Sequence, residues 1–143
     1  MNAPRIKPPV PPLQNGDRLT RDEFERRYKA MPGVKKAELI EGEVYMPSPV
    51  SFGYHGERDD DLGWFFKHYA IHTRGVRSGG NSTVRLDVDN EPQPDALMIV
   101  DPRSGGRVRL DDEGYISGSP ELVAEVAASS ASIDLGRKLN VYR

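Results

Sequence analysis

The chain has 143 residues, 36% of them hydrophobic and 29% charged, a size and balance that suit one domain with one sizeable core. It holds no cysteine and only three histidines, which excludes a disulfide scaffold, a thiolate zinc site and a cysteine nucleophile, and argues against a multi-histidine metal centre. No apolar run approaches the roughly 18 to 20 residues of a membrane span. The formal charge of −2, from 20 basic and 22 acidic residues, leaves any nucleic-acid contact to local patches.

Residues 1–16, MNAPRIKPPVPPLQNG, contain five prolines and no apolar signal-peptide core, so they read as an extended arm and the expected location is cytoplasmic. The domain is expected over 17–143. Thr20 predicts the cap of a helix across RDEFERRYKAM, with Asp22 and Glu23 in its first turn and Phe24, Tyr28 and Met31 on its buried stripe. Pro32-Gly33 ends it. Residues 37–40 and 43–46 predict two strands around the turn Glu41-Gly42, and Pro47-Ser48-Pro49 closes the second.

From about Ser51 to His72 the pattern is helical, with His55, Leu62, Phe66 and Tyr69 on one face and Trp64 expected in the core or an interface. Gly79-Gly80 predicts a turn. Thr83 to Val88 alternates as a strand with Val84, Leu86 and Val88 on one side. PDALMIV, residues 94–100, predicts a strand buried on both faces. A small hairpin through 108–110 and 115–116 follows, then a second central strand at ELVAEVA, residues 121–127. The last segment, from Ile133 to Arg143, predicts a helix that packs Leu135, Leu139 and Tyr142 on the sheet; its apolar stripe runs to the end, so a longer natural domain is expected. The element order predicts an α/β or α+β fold with one central mixed sheet.

Two acids stand inside apolar strands. Asp95 heads ALMIV and Glu125 lies within LVAEVA. A carboxylate there costs several kcal/mol unless a cation or hydrogen bonds compensate it. Two of them can converge on one divalent cation, for which Mg²⁺ is suited; the alternative is that each marks a strand end facing solvent. Asp134, Lys138 and Tyr142 form a polar seam on the last helix, where Asp134 and Lys138 also have the spacing of a surface ion pair. Glu38 lies in the first strand of the early hairpin, where a solvent-facing acid is the alternative. His55 points inward, either packed against Asp59 or lining a site. The run Glu57, Asp59, Asp60, Asp61 reads as a solvated helix face. Lys67, Arg74 and Arg77 form one basic patch, and Arg103, Arg107 and Arg109 another. Neither Gly79-Gly80 nor Gly105-Gly106 has the context of a phosphate loop, and there is no G-x-S-x-G nucleophile motif.

The segments AELIEGEVYMPSP with His55 following, PDALMIVDP, and PELVAEVAASSASIDLGRKLNVY together resemble the Uma-two family of PD-(D/E)xK restriction-endonuclease-like nucleases. In the third, Asp134, Gly136, Lys138 and Tyr142 carry the pattern D-x-G-x-K-x-x-x-Y. The resemblance spans roughly residues 18–143. It implies a restriction-endonuclease-like fold, a central mixed sheet flanked by helices, with Asp95 as the acid of the PD motif and Glu125 as the acid of the second motif. The motif lysine two residues beyond that acid is absent, the position being Ala127, so its role passes to Lys138 on the following helix. Ala128 stands where serine is usual in the family, and Ser130 matches the next serine.

The resemblance further implies a metal-dependent endonuclease acting on DNA. Asp95, Glu125 and the backbone carbonyl after Glu125 would hold Mg²⁺ or Mn²⁺, Lys138 would orient a water, and Glu38 would bind or position the metal from the opposite side. Asp134, Tyr142 and His55 would line the site. Homodimers occur in the family, so a second copy is the expected partner besides DNA, with no membrane. The rival reading is a catalytically silent nucleic-acid-binding or assembly module on the same fold.

Overall fold

A computed structural model describes residues 9–47, 52–127 and 133–143. The first eight residues, Ser48, Pro49, Ser51, Ala128 and Ser130 lie outside these.

Helix α1, Arg21–Lys29, starts where Thr20 accepts a hydrogen bond from the Glu23 amide, and acids in its first turn with bases in its last suit the helix dipole. Its Phe24 is fully buried against Leu39 and Val44 of the hairpin, together with Ala37 and Leu13. Leu13 therefore belongs to the packed unit rather than to a free arm, and the Gly16 amide is bonded to the Val44 carbonyl. Strands β1 (Glu38–Ile40) and β2 (Glu43–Tyr45) pair antiparallel. Both turn residues have positive φ, 52° at Glu41 and 73° at Gly42, the backbone that matches strand twist in a two-residue hairpin.

A π-helical turn, Phe52–Gly56, leads into α2, Glu57–His72, which packs on β3 (Val76–Gly80) and β5 (Ala96–Val100). Of the expected inward face, Phe66 is buried and Leu62 half-buried, while Tyr69 is exposed. Trp64 is 66% exposed, which removes it from the core. The sequence of α2 is apolar on more than one face, so periodicity does not choose between them.

Strand β5 is central between β3 and β8 (Leu122–Ala124), both antiparallel to it. Gly79-Gly80 lies inside β3 rather than at a turn: a Cβ on Gly80 would sit 3.1 Å from the Asp95 carbonyl, so glycine permits the close approach. Strand β8 is shorter than ELVAEVA and lies at the edge of this sheet among the described residues. A second three-stranded sheet joins β4 (Val84–Arg85) in parallel to β7 (Ile116–Ser117), which pairs antiparallel with β6 (Arg109–Leu110). Val84, Leu97, Ile99, Val108 and Ile116 form the core between these sheets. Val88, expected on that inner side, is 69% exposed because β4 has only two residues and the chain then turns. The fold is thus α+β, as expected, but the described strands form three small sheets instead of one, and isolated bridges tie Arg18 and Glu91 to the hairpin.

Glu91 is itself buried beside Glu25, which accepts from Arg85 at 3.2 Å and ties α1 to β4. Burial and the Glu25 carboxyl push the Glu91 pKa up to about 8. No helix among the described residues is long and apolar enough to cross a membrane.

The last element is a π-helical turn, Asp134–Lys138, continued by α3, Leu139–Val141. Its orientation reverses the expectation. Leu135 is 70% exposed and Leu139 is also exposed, whereas Asp134 and Lys138 are buried. The polar seam faces inward because it meets carboxylates that need a cation, as the site shows.

Candidate active site

Four elements bring the acids and lysines together. The antiparallel register of β5 and β8 pairs Ala96 with Ala124. Continued by one residue, it sets Asp95 level with Glu125 at the ends of adjacent strands. Asp95 is 4% exposed, and both its oxygens are engaged. Oδ2 accepts the Val126 amide at 2.8 Å and lies 3.6 Å from His55 Nε2; Oδ1 accepts Lys36 Nζ at 3.0 Å. Burial pushes the Asp95 pKa up, but the Val126 amide and the Lys36 ammonium outweigh it and hold the carboxyl below its usual range.

Glu125 faces a different cation. Its Oε1 is 2.5 Å from Lys138 Nζ and accepts the Tyr142 hydroxyl at 2.8 Å. Burial dominates here and pushes the pKa up to about 7, against the pull of Lys138. Lys138 lies between three acids, 3.0 Å from Glu38 and 3.6 Å from Asp134 as well. Burial alone would favour the neutral amine, yet Glu38 and Glu125 raise its pKa, so it stays an ammonium. Burial and the same Glu125 carboxylate raise the Tyr142 phenol.

Glu38 is held by β1 and by the Gln93 amide, which donates to its Oε1 at 2.7 Å; the Gln93 side chain donates to Tyr28 and to the Ala37 carbonyl. On the outer side of the last helix, Arg137 reaches Glu43 at 2.7 Å and the Tyr45 hydroxyl at 2.5 Å. Those contacts dock the helix on the hairpin and so press Lys138 inward.

The expected residues therefore fall into two adjoining groups. Glu38, Glu125, Asp134, Lys138 and Tyr142 form one, and Asp95 with His55 forms the other. Asp59 belongs near the second: burial, then the negative charge of Asp95, raises its pKa. Lys36, Asn81 and Gln93 were not expected. Lys36 lies just before β1 and reaches Asp95, 59 residues further along the chain. Of the basic patches, Arg77 and Arg103 pair with Asp101 and Arg107 with Glu121, so much of their charge is compensated locally.

A family model described as "Putative restriction endonuclease", Uma2, matches residues 21–143, and the chain belongs to that family. A crystal structure from Anabaena variabilis ATCC 29413, described as "a putative nuclease belonging to DUF820", shares the fold: TM-score 0.59, 17% identity, over 86% of this chain and 67% of that one. No curated protein matches significantly. The protein is thus a member of a family described as putative restriction endonucleases, with an α+β fold shared with that structure.

Proposed function

We propose that the chain hydrolyses DNA phosphodiester bonds as a divalent-metal-dependent endonuclease, with Asp95, Glu125 and Lys138 as its working residues. The observation that carries this reading is Lys138, an ammonium 2% exposed between Glu38 and Glu125, with the strand register setting Asp95 level with Glu125. A scaffold without chemistry gains nothing from this arrangement, because apolar residues in its place are as stable or more so.

The donor set fits Mg²⁺ or Mn²⁺. Asp95, Glu125 and the carbonyl after Glu125 are hard oxygen donors, and among the described residues no group of three or more His, Cys, Asp or Glu forms a cage. Mg²⁺ binds through one or two carboxylates, keeps its waters and adds substrate phosphate oxygens, so it needs no cage. When bound, such a cation supplies charge neutralisation at the phosphate and a more acidic water. The chain's residues do the rest. The Val126 amide fixes the Asp95 carboxylate, and Tyr142 fixes Glu125. Glu38 and Asp134 hold Lys138, whose positive charge orients the attacking water and stabilises the developing phosphoryl charge. Its contacts with Lys138 and Gln93 support a role for Glu38 in positioning the lysine. Calorimetric Mn²⁺ titration of the parent and of Asp95→Ala tests the reading: binding that is lost in the variant supports it, and equal binding contradicts it.

A second copy of the chain is the proposed partner, paired through α2. Trp64, Phe65 and Ile71 are each more than half exposed on this helix. Trp64 and Ile71 lie on one face of the helix, with His68 between them and Glu57 and Asp61 extending the face toward the helix start. The acids occupy the start of α2, while His72 and Arg74 lie at and just beyond its end. An antiparallel two-fold pairing sets the acids of each copy against the bases of the other, a self-complementary interface. It would offer two sites to a two-stranded substrate in the cytoplasm.

A further inference from the structure

The two lysines of the site differ in one decisive way. Lys138 is enclosed by three acids and nearly inaccessible, whereas the Lys36 side chain is 22% exposed and, among the described residues, hydrogen-bonds Asp95 Oδ1 at 3.0 Å and Asn81 Oδ1 at 3.5 Å. A dication approaching Asp95 Oδ1 meets the Lys36 ammonium 3.0 Å from that oxygen, while Oδ2 accepts the Val126 amide and faces His55. A buried carboxylate without a counter-charge is costly, so the pair has a use when no other cation is bound.

We propose that Lys36 is a displaceable counter-ion of Asp95: its ammonium holds the place beside Oδ1 until a divalent cation takes it, then swings to the solvent side of the site. This rests on the metal-dependent reading above and adds a positioning residue that sets cation affinity. The long side chain has the reach and the solvent access to move, and Asn81 offers a second oxygen at the mouth. An ammonium and a dication at the same carboxylate repel each other, so they compete for it.

The test is Mn²⁺ binding by calorimetry to the parent, Lys36→Met, Lys36→Arg, Lys67→Met and Asp95→Asn, each checked for folding by circular dichroism. Lys36→Met should bind Mn²⁺ about tenfold more tightly, the scale of a partly buried ion pair no longer competing. Lys36→Arg should stay near the parent. Lys67→Met, on exposed α2, should not tighten binding and so controls for net charge. If Asp95→Asn abolishes binding and Lys36→Met leaves it unchanged or weaker, this inference falls and the metal-dependent reading stands. If neither the parent nor Lys36→Met binds Mn²⁺, both fall. Should Lys36→Met misfold, Lys36→Gln, which keeps a donor to Asp95, must still tighten binding or the inference is overturned.

Discussion

Replacing Lys138 by methionine keeps the length of the side chain and removes its charge. The ammonium is 2% exposed, with Glu125 at 2.5 Å and Glu38 at 3.0 Å. Removing one partner of a buried ion pair costs about 3–5 kcal/mol, because the other charge stays buried without compensation. At about 4 °C per kcal/mol for a domain of this size, the melting temperature should fall by about 12–20 °C. The loss should also depend on pH. Burial already holds the Glu125 pKa at about 7, above its ordinary value of 4.5, and Lys138 is what pulls it back. Without that pull the folded pKa rises further. The folded chain then keeps a proton that the unfolded chain has released, and stability falls as pH rises from 4.5 to the new folded value. The difference between variant and parent should therefore grow by about 1 kcal/mol or more between pH 6 and pH 9. Urea denaturation at both pH values measures it. A loss below about 1 kcal/mol, the same at both, would refute the enclosed ammonium.

The buried Glu91 gives a stability effect away from the site. Its pKa is about 8 through burial and the neighbouring Glu25, so the parent loses stability as pH rises from about 4.5 to about 8. Glu91→Gln, which mimics the protonated acid, should flatten that fall, leaving stability unchanged at pH 4.5 and gaining about 2 kcal/mol or more at pH 9; urea curves at the two pH values check it. For the proposed pairing, Trp64→Glu places a charge on the paired α2 face and should convert a sedimentation dimer into a monomer at micromolar concentration with an unchanged melting curve. A parent that sediments as a monomer would remove the pairing.

Several features were legible in the sequence for physical reasons. Thr20 and the first-turn acids announced α1, Glu41-Gly42 announced its hairpin, and an acid heading an apolar run announced Asp95. The family resemblance supplied Lys138, which spacing alone reads as a surface partner of Asp134. The face of the last helix was not legible. Periodicity assigns leucines to the interior, but that rule assumes an apolar interior, and here Glu38 and Glu125 make it anionic. Burying Lys138 compensates them, and Leu135 is left outside. Lys36 and Gln93 were missed because their partners are distant in the chain: Asp95 is 59 residues from Lys36, and Glu38 is 55 from Gln93. Tyr69 was misplaced, and the core alternative for Trp64 fails, because α2 carries large apolar residues all round.

The central claim is that Asp95 and Glu125 support metal-dependent cleavage of DNA, and supercoiled plasmid tests it most directly. Incubated with Mg²⁺ or Mn²⁺, the parent chain should nick or linearise the plasmid, and a chelator should stop it. Asp95→Asn and Glu125→Gln, both verified as folded, should lose about 10² or more of the rate, the scale of removing a group that stabilises the transition state. A folded parent that leaves the plasmid intact with either cation, or an Asp95→Asn variant that cleaves at the parent rate, would contradict the account.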